Sequence, residues 1–469
     1  MIDTVRDRQS DRPAVGADGT LNHATLDIAV YGLGPSGLAL SVLCARVAPL
    51  VTAADNDSSR VTAIQHGQSP VSDPLLSEYL TEATDSGSLR ATAELPAAAA
   101  EATIHLVAVP TGLREDDVPD LSRLRSAVRD IASGISAGDI LILATPVPPG
   151  TTDGVIASTV VDESGLDRDA FGLAVCALPT DRSLRSIRNG TLVVAGSDAR
   201  SQTAARELFS SITTGTVSTT PRLRTAECVE AVERSAAEML RCLTNELALS
   251  APEIEVPTVA ELISMRGEIE IPGPGVDGNE PIGAGFLCDA LVERTPVLDS
   301  VYDAAERFPK LIAETVLAAI DDDSSGRLPE ATDFEFGEAV EETVDDARAD
   351  DNDDQTILIL GVPTADSSTA DSMPTSLLIR ELTRAETRPL ICDPVADLPR
   401  SLTPHTVSIR SANRLNPDAV VVLSFRLVFE DIDWSAFDDA VVIDCCGSCL
   451  DIDTDVHRLG GSDILHRQQ

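Results

Sequence analysis

The feature that most constrains the fold of this chain is a glycine-rich turn between a strand pattern and a helix pattern. The apolar run Ile28-Ala29-Val30-Tyr31 leads into Gly32-Leu33-Gly34-Pro35-Ser36-Gly37, and an apolar helix pattern follows from Leu38 to Val47. In this context Gly32 permits a tight turn, Gly34 lets a pyrophosphate approach the backbone, and Gly37 lets the helix pack closely on the sheet. The helix N-terminus also favours a negative charge. The sequence therefore predicts a dinucleotide-binding α/β unit.

A carboxylate follows the next predicted strand. The strand pattern from Leu50 to Ala54 ends at Asp55, eighteen residues beyond Gly37. A carboxylate at this place accepts hydrogen bonds from a ribose diol and repels a 2′-phosphate, so we expect NAD rather than NADP as the cofactor. The alternative is a glycine-rich turn that has lost its ligand, because a fold alone does not guarantee a ligand.

The rest of the pattern predicts a chain of several domains. Strand and helix patterns alternate at both ends of the sequence, which predicts two α/β domains with parallel, doubly wound sheets. Between them, apolar residues recur with a helical period from Arg222 to Ser250. The predicted order is a disordered tail (1–25), a Rossmann domain (26–205), a helical central domain (206–320), an acidic low-complexity linker (321–354) and a second α/β domain (355–469).

The charge of the chain limits its partners. It carries 77 acidic against 35 basic residues, a formal charge of -42, and Lys310 is its only lysine. Nucleic acids and anionic membrane surfaces are polyanions, so we expect neither as a partner. An acidic, lysine-poor and aromatic-poor composition is typical of halophiles, since molar salt shortens the Debye length to about 3 Å and screens self-repulsion. A mesophilic protein with an acidic surface is the alternative.

The cysteines and the apolar runs predict a cytoplasmic protein. Nine cysteines lack the spacing of a disulfide framework, which suits free thiols in a reducing compartment. We find no signal-peptide pattern at the start of the sequence and no apolar run of the roughly 18 residues that span a bilayer. The cluster Cys445-Cys446-Gly447-Ser448-Cys449 could suggest a metal, but His457 alone is poor support. We therefore predict no metal site.

Further short motifs follow the glycine-rich turn in a fixed order. They are Asp55-Asn56-Asp57-x-x-Arg60-Val61, Val109-Pro110-Thr111, Pro149-Gly150-Thr151-Thr152, Ala226-Glu227, Asn245-Glu246-Leu247-Ala248, Pro272-Gly273-Pro274-Gly275-Val276 and Cys392-Asp393-Pro394. Together they resemble the UDP-glucose/GDP-mannose dehydrogenase family over nearly all of residues 26–454. The resemblance implies an NAD-binding Rossmann domain, a helical dimerisation core and a C-terminal domain that holds a nucleotide sugar. It also implies oxidation of a sugar 6-hydroxyl to a carboxylate with two NAD.

The resemblance extends the set of expected cofactor contacts and partners. Besides the three glycines and Asp55, it implies contacts from Arg60, Pro110, Thr111 and Thr145. It also implies a nucleotide-sugar ligand and a homodimer, or a heterodimer with an active paralogue.

The chain departs from the family at the positions that carry catalysis. Where the family has its nucleophilic cysteine, this chain reads Asn279-Glu280, and Glu230 and Arg234 replace a lysine and an asparagine of the central helix. A carboxylate in place of a cation inverts the electrostatics beside an oxyanion, where even one lost donor costs about 10²–10³ in rate. Asp181 is the only candidate for the family's catalytic glutamate. Cys288 follows the loop, and a structural thiol is the favoured interpretation.

Three hypotheses on function therefore remain open. The first is a degenerate family member that binds NAD, has lost or altered catalysis, and has a binding or regulatory role. The second is an active UDP-sugar 6-dehydrogenase in polysaccharide or glycan precursor biosynthesis. The third is a two-electron NAD dehydrogenase, which needs a base but no thiol. Whether the chain is an enzyme is left undecided by its sequence.

Overall fold

The computed structural model describes most of the chain in two units. The described residues are 14–71, 73–114, 118–251, 254–267, 269–276, 282–291, 295–321, 355–363, 374–394, 398, 402–437, 440–446 and 456–458. Unit 1 takes Met1–Arg234 with Gly285–Arg294, and unit 2 takes Ser235–Ala284 with Thr295–Gln469. The predicted linker lies outside the described residues except for residue 321.

Unit 1 is built on a mainly parallel sheet. Its strands are β1 (Asp27–Tyr31), β2 (Leu50–Ala54), β3 (Leu89–Thr92), β4 (Ile104–Val107), β5 (Gly112–Leu113), β6 (Pro119–Asp120), β7 (Ile140–Leu143), β8 (Gly172–Ala177), β9 (Thr191–Gly196) and β10 (Thr216–Thr219). Eight described strands pair in the order β10-β9-β8-β7-β4-β1-β2-β3, and β5 pairs with β6 in a separate antiparallel ribbon. Only the pair β8 and β9 is antiparallel within the larger sheet.

Helices cover both faces of this sheet. They are α1 (Pro35–Cys44), α2 (Ser58–Gln65), α3 (Pro74–Asp85), α4 (Leu95–Glu101), α5 (Ser122–Ala132), α6 (Ala157–Ser164), α7 (Leu184–Asn189) and α8 (Ala199–Ile212), with a π-helical turn at Thr152–Ile156 before α6. Two apolar clusters lie on the two faces of the sheet. Burial on both faces explains why the central strands are nearly continuous apolar runs.

Two segments differ from the predicted boundaries. Residues 14–25 are not part of a disordered tail: Val15 is 5% exposed and pairs with Leu21, whose N–H donates to Glu207 on α8 at 2.8 Å. A few apolar and backbone contacts keep this polar segment ordered. Its composition alone does not predict that order. At the other end, β10 continues the sheet to Thr219, past residue 205, because it pairs with β9.

Unit 2 combines long helices with a second parallel sheet. The helix α9 (Leu223–Ser250) begins in unit 1 and continues into unit 2, where α10 (Val256–Met265) follows. The helix α11 (Ile282–Ala290) begins in unit 2 and belongs to unit 1 from Gly285 onward. The helices α12 (Pro296–Asp321), α13 (Pro374–Arg384) and α14 (Ile409–Ala412) belong to unit 2. The strands are β11 (Thr356–Leu360), β12 (Arg388–Cys392), β13 (Ala419–Val422), β14 (Val441–Asp444) and β15 (Val456–Arg458). These strands pair in the order β12-β11-β13-β14-β15. The predicted α/β class, with a Rossmann-type sheet, a helical middle and a second α/β sheet, is confirmed.

Candidate functional site

The glycine-rich turn lies where the strand order of unit 1 reverses. From β1 the chain moves outward to β2, whereas from β4 it moves to β7 on the other side, and the carboxyl ends of such strands form a ligand-binding crevice. Gly32 directly follows β1 with a φ of +88°, and an ideal Cβ on it would lie 2.7 Å from the Ala108 carbonyl oxygen beyond β4. An ideal Cβ on Gly37 would lie 1.7 Å from the Gly32 oxygen. Neither position accepts a side chain.

Space for an anion opens above the middle glycine. An ideal Cβ on Gly34 would meet one described atom within 4 Å, the Arg60 Nη1 at 3.9 Å. Gly34 caps the ten-residue helix α1, so the backbone N–H groups of its first turn and the Arg60 guanidinium surround the same space. The Asp57 Oδ2 lies 3.7 Å from the Arg60 Nε, so the two side chains form an ion pair. The residues present therefore fit a pyrophosphate.

Asp55 is fixed at the end of β2 by two backbone groups. Its Oδ2 accepts the Leu33 N–H at 2.6 Å, and its Oδ1 accepts the Asp57 N–H at 2.8 Å. The first bond ties the carboxylate to the glycine-rich turn itself. This places an acceptor beside the turn, as the ribose diol of a dinucleotide requires.

Two threonines hold the opposite rim of the crevice. The Thr111 hydroxyl donates to the Pro146 carbonyl at 2.6 Å, and the Thr145 hydroxyl donates to the Val109 carbonyl at 2.8 Å. These bonds tie the loop after β4, which includes half-buried Pro110, to the loop after β7. Each threonine donates its hydroxyl proton to a carbonyl of the other loop. The two side chains therefore fix the shape of the crevice rim.

A buried ion pair occupies the central-helix position that the resemblance assigns to a lysine. The Arg182 Nε donates to the Glu230 Oε1 at 3.1 Å, the Arg182 Nη2 bonds the same oxygen, and the two side chains are 5% and 4% exposed. The Arg234 Nε lies 3.9 Å from that oxygen, one turn along α9. Arg182 has a φ of +48°, in the left-handed region that costs a non-glycine residue energy.

The other predicted catalytic positions are not part of this cluster. Asp181 is exposed and accepts a hydrogen bond from the Ser183 hydroxyl at 3.0 Å. Asn279 and Glu280 lie outside the described residues. The structure therefore brings Glu230 and Arg234 together with Arg182, a partner that the sequence analysis did not propose. No sequence signal pairs residues 182 and 230, because their contact exists only in the folded sheet and helix.

Glu227 has a role that the sequence analysis missed. Its Oε2 accepts the Gly150 N–H at 2.5 Å and its Oε1 accepts the Thr152 N–H at 2.8 Å. Gly150 has a φ of +104°, which explains the glycine in the motif Pro149-Gly150-Thr151-Thr152. Two of the motifs noted in the sequence thus form one contact, which fixes the start of α9 to the turn before α6.

In unit 2, Asn245 holds the beginning of the loop that lacks the cysteine. Its Oδ1 accepts the Gly275 N–H at 2.7 Å, and its Nδ2 donates to the Gly275 carbonyl at 3.2 Å. Gly275 has a φ of +147°, and an ideal Cβ there would lie 2.9 Å from the Cys445 carbonyl oxygen. A buried amide and a neighbouring strand end therefore fix the backbone where the loop starts.

The described thiols near these positions are held in the protonated form. Burial raises the pKa of Cys242 to about 11, and Glu238 beside it acts in the same direction. Burial likewise raises the pKa of Cys228 and, together with Glu230, that of Cys176. Cys288 lies half-buried on α11, and Lys310 is exposed on α12. A thiol is a good nucleophile only as a thiolate, so Cys242, Cys228 and Cys176 are poor candidates.

A cluster of metal ligands and a membrane-crossing helix are both absent from the part of the chain that the structure describes. Within it, no cluster of three or more His, Cys, Asp and Glu side chains is placed to hold a metal ion. The Cys446 Sγ donates to the Asp444 Oδ1 at 3.2 Å, and Cys449 is not among the described residues. None of the described helices combines the length and the apolar character needed to cross a membrane.

Comparison with known proteins identifies the domain that contains the crevice. Residues 26–213 match the NAD binding domain of the UDP-glucose/GDP-mannose dehydrogenase family. The NDP-N-acetyl-D-galactosaminuronic acid dehydrogenase of Ralstonia solanacearum is 29% identical over 338 residues, which cover 68% of this chain and 77% of that protein. The UDP-N-acetyl-D-mannosamine dehydrogenase of Salmonella typhi is 27% identical over 340 residues, or 68% of this chain and 79% of that protein.

Solved structures share the fold over most of the chain. A UDP-D-ManNAc dehydrogenase from Pyrococcus horikoshii has a TM-score of 0.74 and 21% identity, covering 94% of this chain and all of that one. A UDP-glucose dehydrogenase from Pyrobaculum islandicum has a TM-score of 0.73 and 19% identity, covering 90% and 95%. NAD is the cofactor of the matched domain, in agreement with the prediction from Asp55. The chain belongs to the UDP-glucose/GDP-mannose dehydrogenase family of NAD-dependent nucleotide-sugar dehydrogenases.

Proposed function

We propose that this chain is a family member that binds NAD but does not oxidise a nucleotide sugar to its uronate, and that it has a binding or regulatory role. The observation that carries the proposal is the buried pair of Glu230 and Arg182. The resemblance assigns position 230 to a lysine that stabilises an oxyanion. Here that position holds an anion, and the neighbouring arginine is committed to it.

Electrostatics explain why this exchange matters for the reaction. Oxyanion stabilisation needs a donor or a cation aimed at the developing charge, and removing one donor costs about 10²–10³ in rate. The Glu230 carboxylate is 4% exposed, so little solvent screens it. Arg182 and Arg234 lie close to the Glu230 oxygen and offset its charge. We infer that the cluster stabilises unit 1 and does not bind an oxyanion.

The thiols support the same conclusion. The family reaction traps an aldehyde on a thiolate. Where the resemblance places that cysteine, this chain reads Asn279-Glu280. Cys242, whose pKa is about 11, would be almost entirely protonated at neutral pH. Cys228 and Cys176 also have raised pKa values.

A second candidate function is an active dehydrogenase. The observation that favours it is the complete crevice at the end of β1, with Gly34 open beside Arg60 and Asp55 fixed beside the turn. The named relatives make a UDP- or NDP-linked N-acetylated sugar the first substrate class to test. A two-electron reaction would need a base but no thiol, and Asp181 is the candidate, although it lies outside the buried cluster.

Calorimetry followed by a turnover assay separates these functions. NAD is titrated into the full chain in molar KCl, with Asp55→Ala as the control for binding at the crevice. UDP-N-acetylmannosamine, UDP-glucose and GDP-mannose are then added and NADH is recorded. We expect NAD binding that Asp55→Ala weakens, and no NADH. One NADH per sugar would establish the two-electron reaction, and two per sugar would establish the family reaction; either would refute the proposal.

We also propose that the chain works as a dimer, either with itself or with an active paralogue, through the second half of α9 and α10. Large apolar side chains are exposed there, among them Leu243 (48%), Leu262 (58%) and Met265 (73%). Such a patch on a chain of charge -42 points to a protein interface. Leu243→Glu is expected to give a monomer in light scattering, while the neighbouring Glu246→Gln leaves the mass unchanged. A monomeric parent chain would exclude the homodimer.

The composition supports a further proposal about the working environment. The eight described cysteines are all free, as expected in a reducing compartment, and the acidic excess suits molar salt. We propose a cytoplasmic protein of a salt-accumulating cell. Loss of folding in high salt, or disulfides in the purified native protein, would argue against this.

A further inference from the structure

The two sides of the NAD crevice in unit 1 differ in what they offer a ligand. On the side of the glycine-rich turn, Gly34 is open, with the Arg60 Nη1 3.9 Å from an ideal Cβ on it. Asp55 is fixed beside the same turn by the N–H groups of Leu33 and Asp57. A dinucleotide places its adenosine ribose on such a carboxylate and its pyrophosphate on the turn. This side therefore suits the adenosine diphosphate half of the ligand.

The other half of a dinucleotide lies across the crevice. A dinucleotide spans the point where the strand order reverses, so its nicotinamide nucleotide lies over the ends of β4 and β7. The opposite rim consists of the loops after these two strands, residues 108–111 and 144–152. Backbone N–H groups of such loops can donate to a ligand, but proline has none. The opposite rim contains four prolines: Pro110, Pro146, Pro148 and Pro149.

Most of the remaining N–H groups in the loop after β7 already have an acceptor within unit 1. Those of Gly150 and Thr152 donate to the buried Glu227 carboxylate. Two more donate to backbone carbonyls at 2.8 Å and 3.1 Å: Ala144 to Val107, and Thr151 to Pro148. The other two residues of this loop that have an N–H, Thr145 and Val147, are buried. The backbone of the loop therefore has little to donate to a ligand.

The hydroxyl groups of the opposite rim are also directed into the protein. Three of them donate to backbone carbonyls of the rim at 2.6, 2.8 and 2.6 Å: Thr111 to Pro146, Thr145 to Val109, and Thr151 to Pro148. A hydroxyl has one proton, so these three do not donate to a ligand. The fourth threonine of the rim, Thr152, is fully buried. The carboxamide of a nicotinamide ring therefore finds no hydroxyl donor on this rim.

We propose that the crevice recognises the adenosine diphosphate-ribose part of its ligand, and that the nicotinamide ring adds nothing to the affinity. ADP-ribose, NAD and NADH then bind equally well, whatever the oxidation state of the ring. The inference rests on the NAD binding of the proposed function and names the part of NAD that the chain recognises. It agrees with a chain that transfers no hydride, since hydride transfer requires the ring to be held against a substrate.

Calorimetric titration of the full chain in molar KCl with NAD, NADH, ADP-ribose and nicotinamide mononucleotide tests this inference. One hydrogen bond of ordinary strength corresponds to about a threefold to tenfold difference in Kd. We therefore expect the Kd values of NAD, NADH and ADP-ribose to agree within about threefold, and that of the mononucleotide to be at least about tenfold higher. A wider spread among the first three ligands, or a mononucleotide that binds within about tenfold of NAD, would overturn the inference.

Two variants on opposite sides of the crevice provide a matched control. Asp55→Ala is expected to weaken NAD and ADP-ribose by the same factor, because both contain the adenosine ribose. Thr145→Val removes the hydroxyl bond to Val109, and any change in the shape of the crevice should also affect both ligands equally. A loss of affinity confined to NAD in Thr145→Val would show that the opposite rim holds the nicotinamide, and would refute the inference. If Thr145→Val does not fold, the ratio of the Kd values in the parent chain decides.

The same titrations separate this inference from the proposed function. If NAD binds and ADP-ribose binds more than about threefold more weakly, this inference alone fails. If none of the four ligands binds, both fail. NADH formed from NAD and a nucleotide sugar would refute the proposed function, and the Kd values would still decide on the part of NAD that is recognised.

Discussion

Replacing Arg182 by methionine is expected to destabilise unit 1 by about 3 kcal/mol. Removing one partner of a buried ion pair typically costs about 3–5 kcal/mol, because the other charge remains buried without its counterion. Both side chains here are at most 5% exposed, which justifies a value in this range. Arg234, 3.9 Å from the same oxygen, still compensates Glu230 in part, so we expect the lower end.

Two matched variants separate the charge from the backbone strain. Methionine keeps the strain of a φ of +48° that arginine already carries, so Arg182→Met measures the lost ion pair. Glycine has no such strain, so Arg182→Gly is expected to be less harmful by about 1 kcal/mol. In the double variant Arg182→Met with Glu230→Met neither charge is left alone, and its cost should fall well below that of Arg182→Met.

Calorimetric unfolding in molar KCl measures these differences. A single unfolding free energy is not well defined for two units, so the transition of unit 1 is identified by its upward shift with NAD. Trp434 lies in unit 2 and reports on that unit separately. A cost of Arg182→Met below about 1 kcal/mol, or a double variant as unstable as the single one, would contradict a stabilising role of the ion pair.

The cofactor crevice, the charge and the thiols give further predictions. Asp55→Ala should weaken NAD binding by about 10–100-fold and reduce the preference over NADP, because charged acceptor bonds to the ribose are lost; titration with both cofactors measures this, and an unchanged preference contradicts it. Gly37→Val should prevent folding of unit 1, since its Cβ meets the Gly32 oxygen, whereas Gly34→Ala should fold but bind NAD more weakly; circular dichroism and calorimetry distinguish them. The unfolding temperature should rise from dilute buffer to molar KCl, since screening reduces the self-repulsion of 42 net negative charges; a fall would count against this interpretation. Alkylation of Cys242, followed by mass spectrometry, should accelerate about tenfold per pH unit until the pH nears about 11; a plateau near neutral pH would show a thiolate instead.

The sequence predicts the strand, turn and helix around the glycine-rich motif well because the signals for these elements are local. Gly32, Gly34 and Gly37 follow a strand and open a helix, and Asp55 ends the next strand, so one βαβ unit contains the argument. The structure adds the contacts between strand ends, such as that of Gly32 with Ala108. The long apolar period that predicts a helix from Arg222 to Ser250 also agrees closely with α9.

What the sequence misses depends on contacts between distant segments. The pair of Arg182 and Glu230 joins residues 48 positions apart, and the contact of Glu227 with Gly150 joins residues 77 positions apart. No local propensity encodes either contact. The order of residues 14–25 is missed for the same reason, since Leu21 depends on Glu207. The antiparallel pairing of β8 and β9 is also invisible in the strand patterns, which carry no direction.

The most direct test of the central claim measures NADH formation by the purified full chain in molar KCl with NAD and UDP-N-acetylmannosamine, beside an active dehydrogenase of the family. We expect the chain to bind NAD, Asp55→Ala to weaken this binding, and no NADH to form above the background without sugar. Sustained formation of two NADH for each sugar consumed would contradict it, because the Glu230 cluster would then support the family reaction.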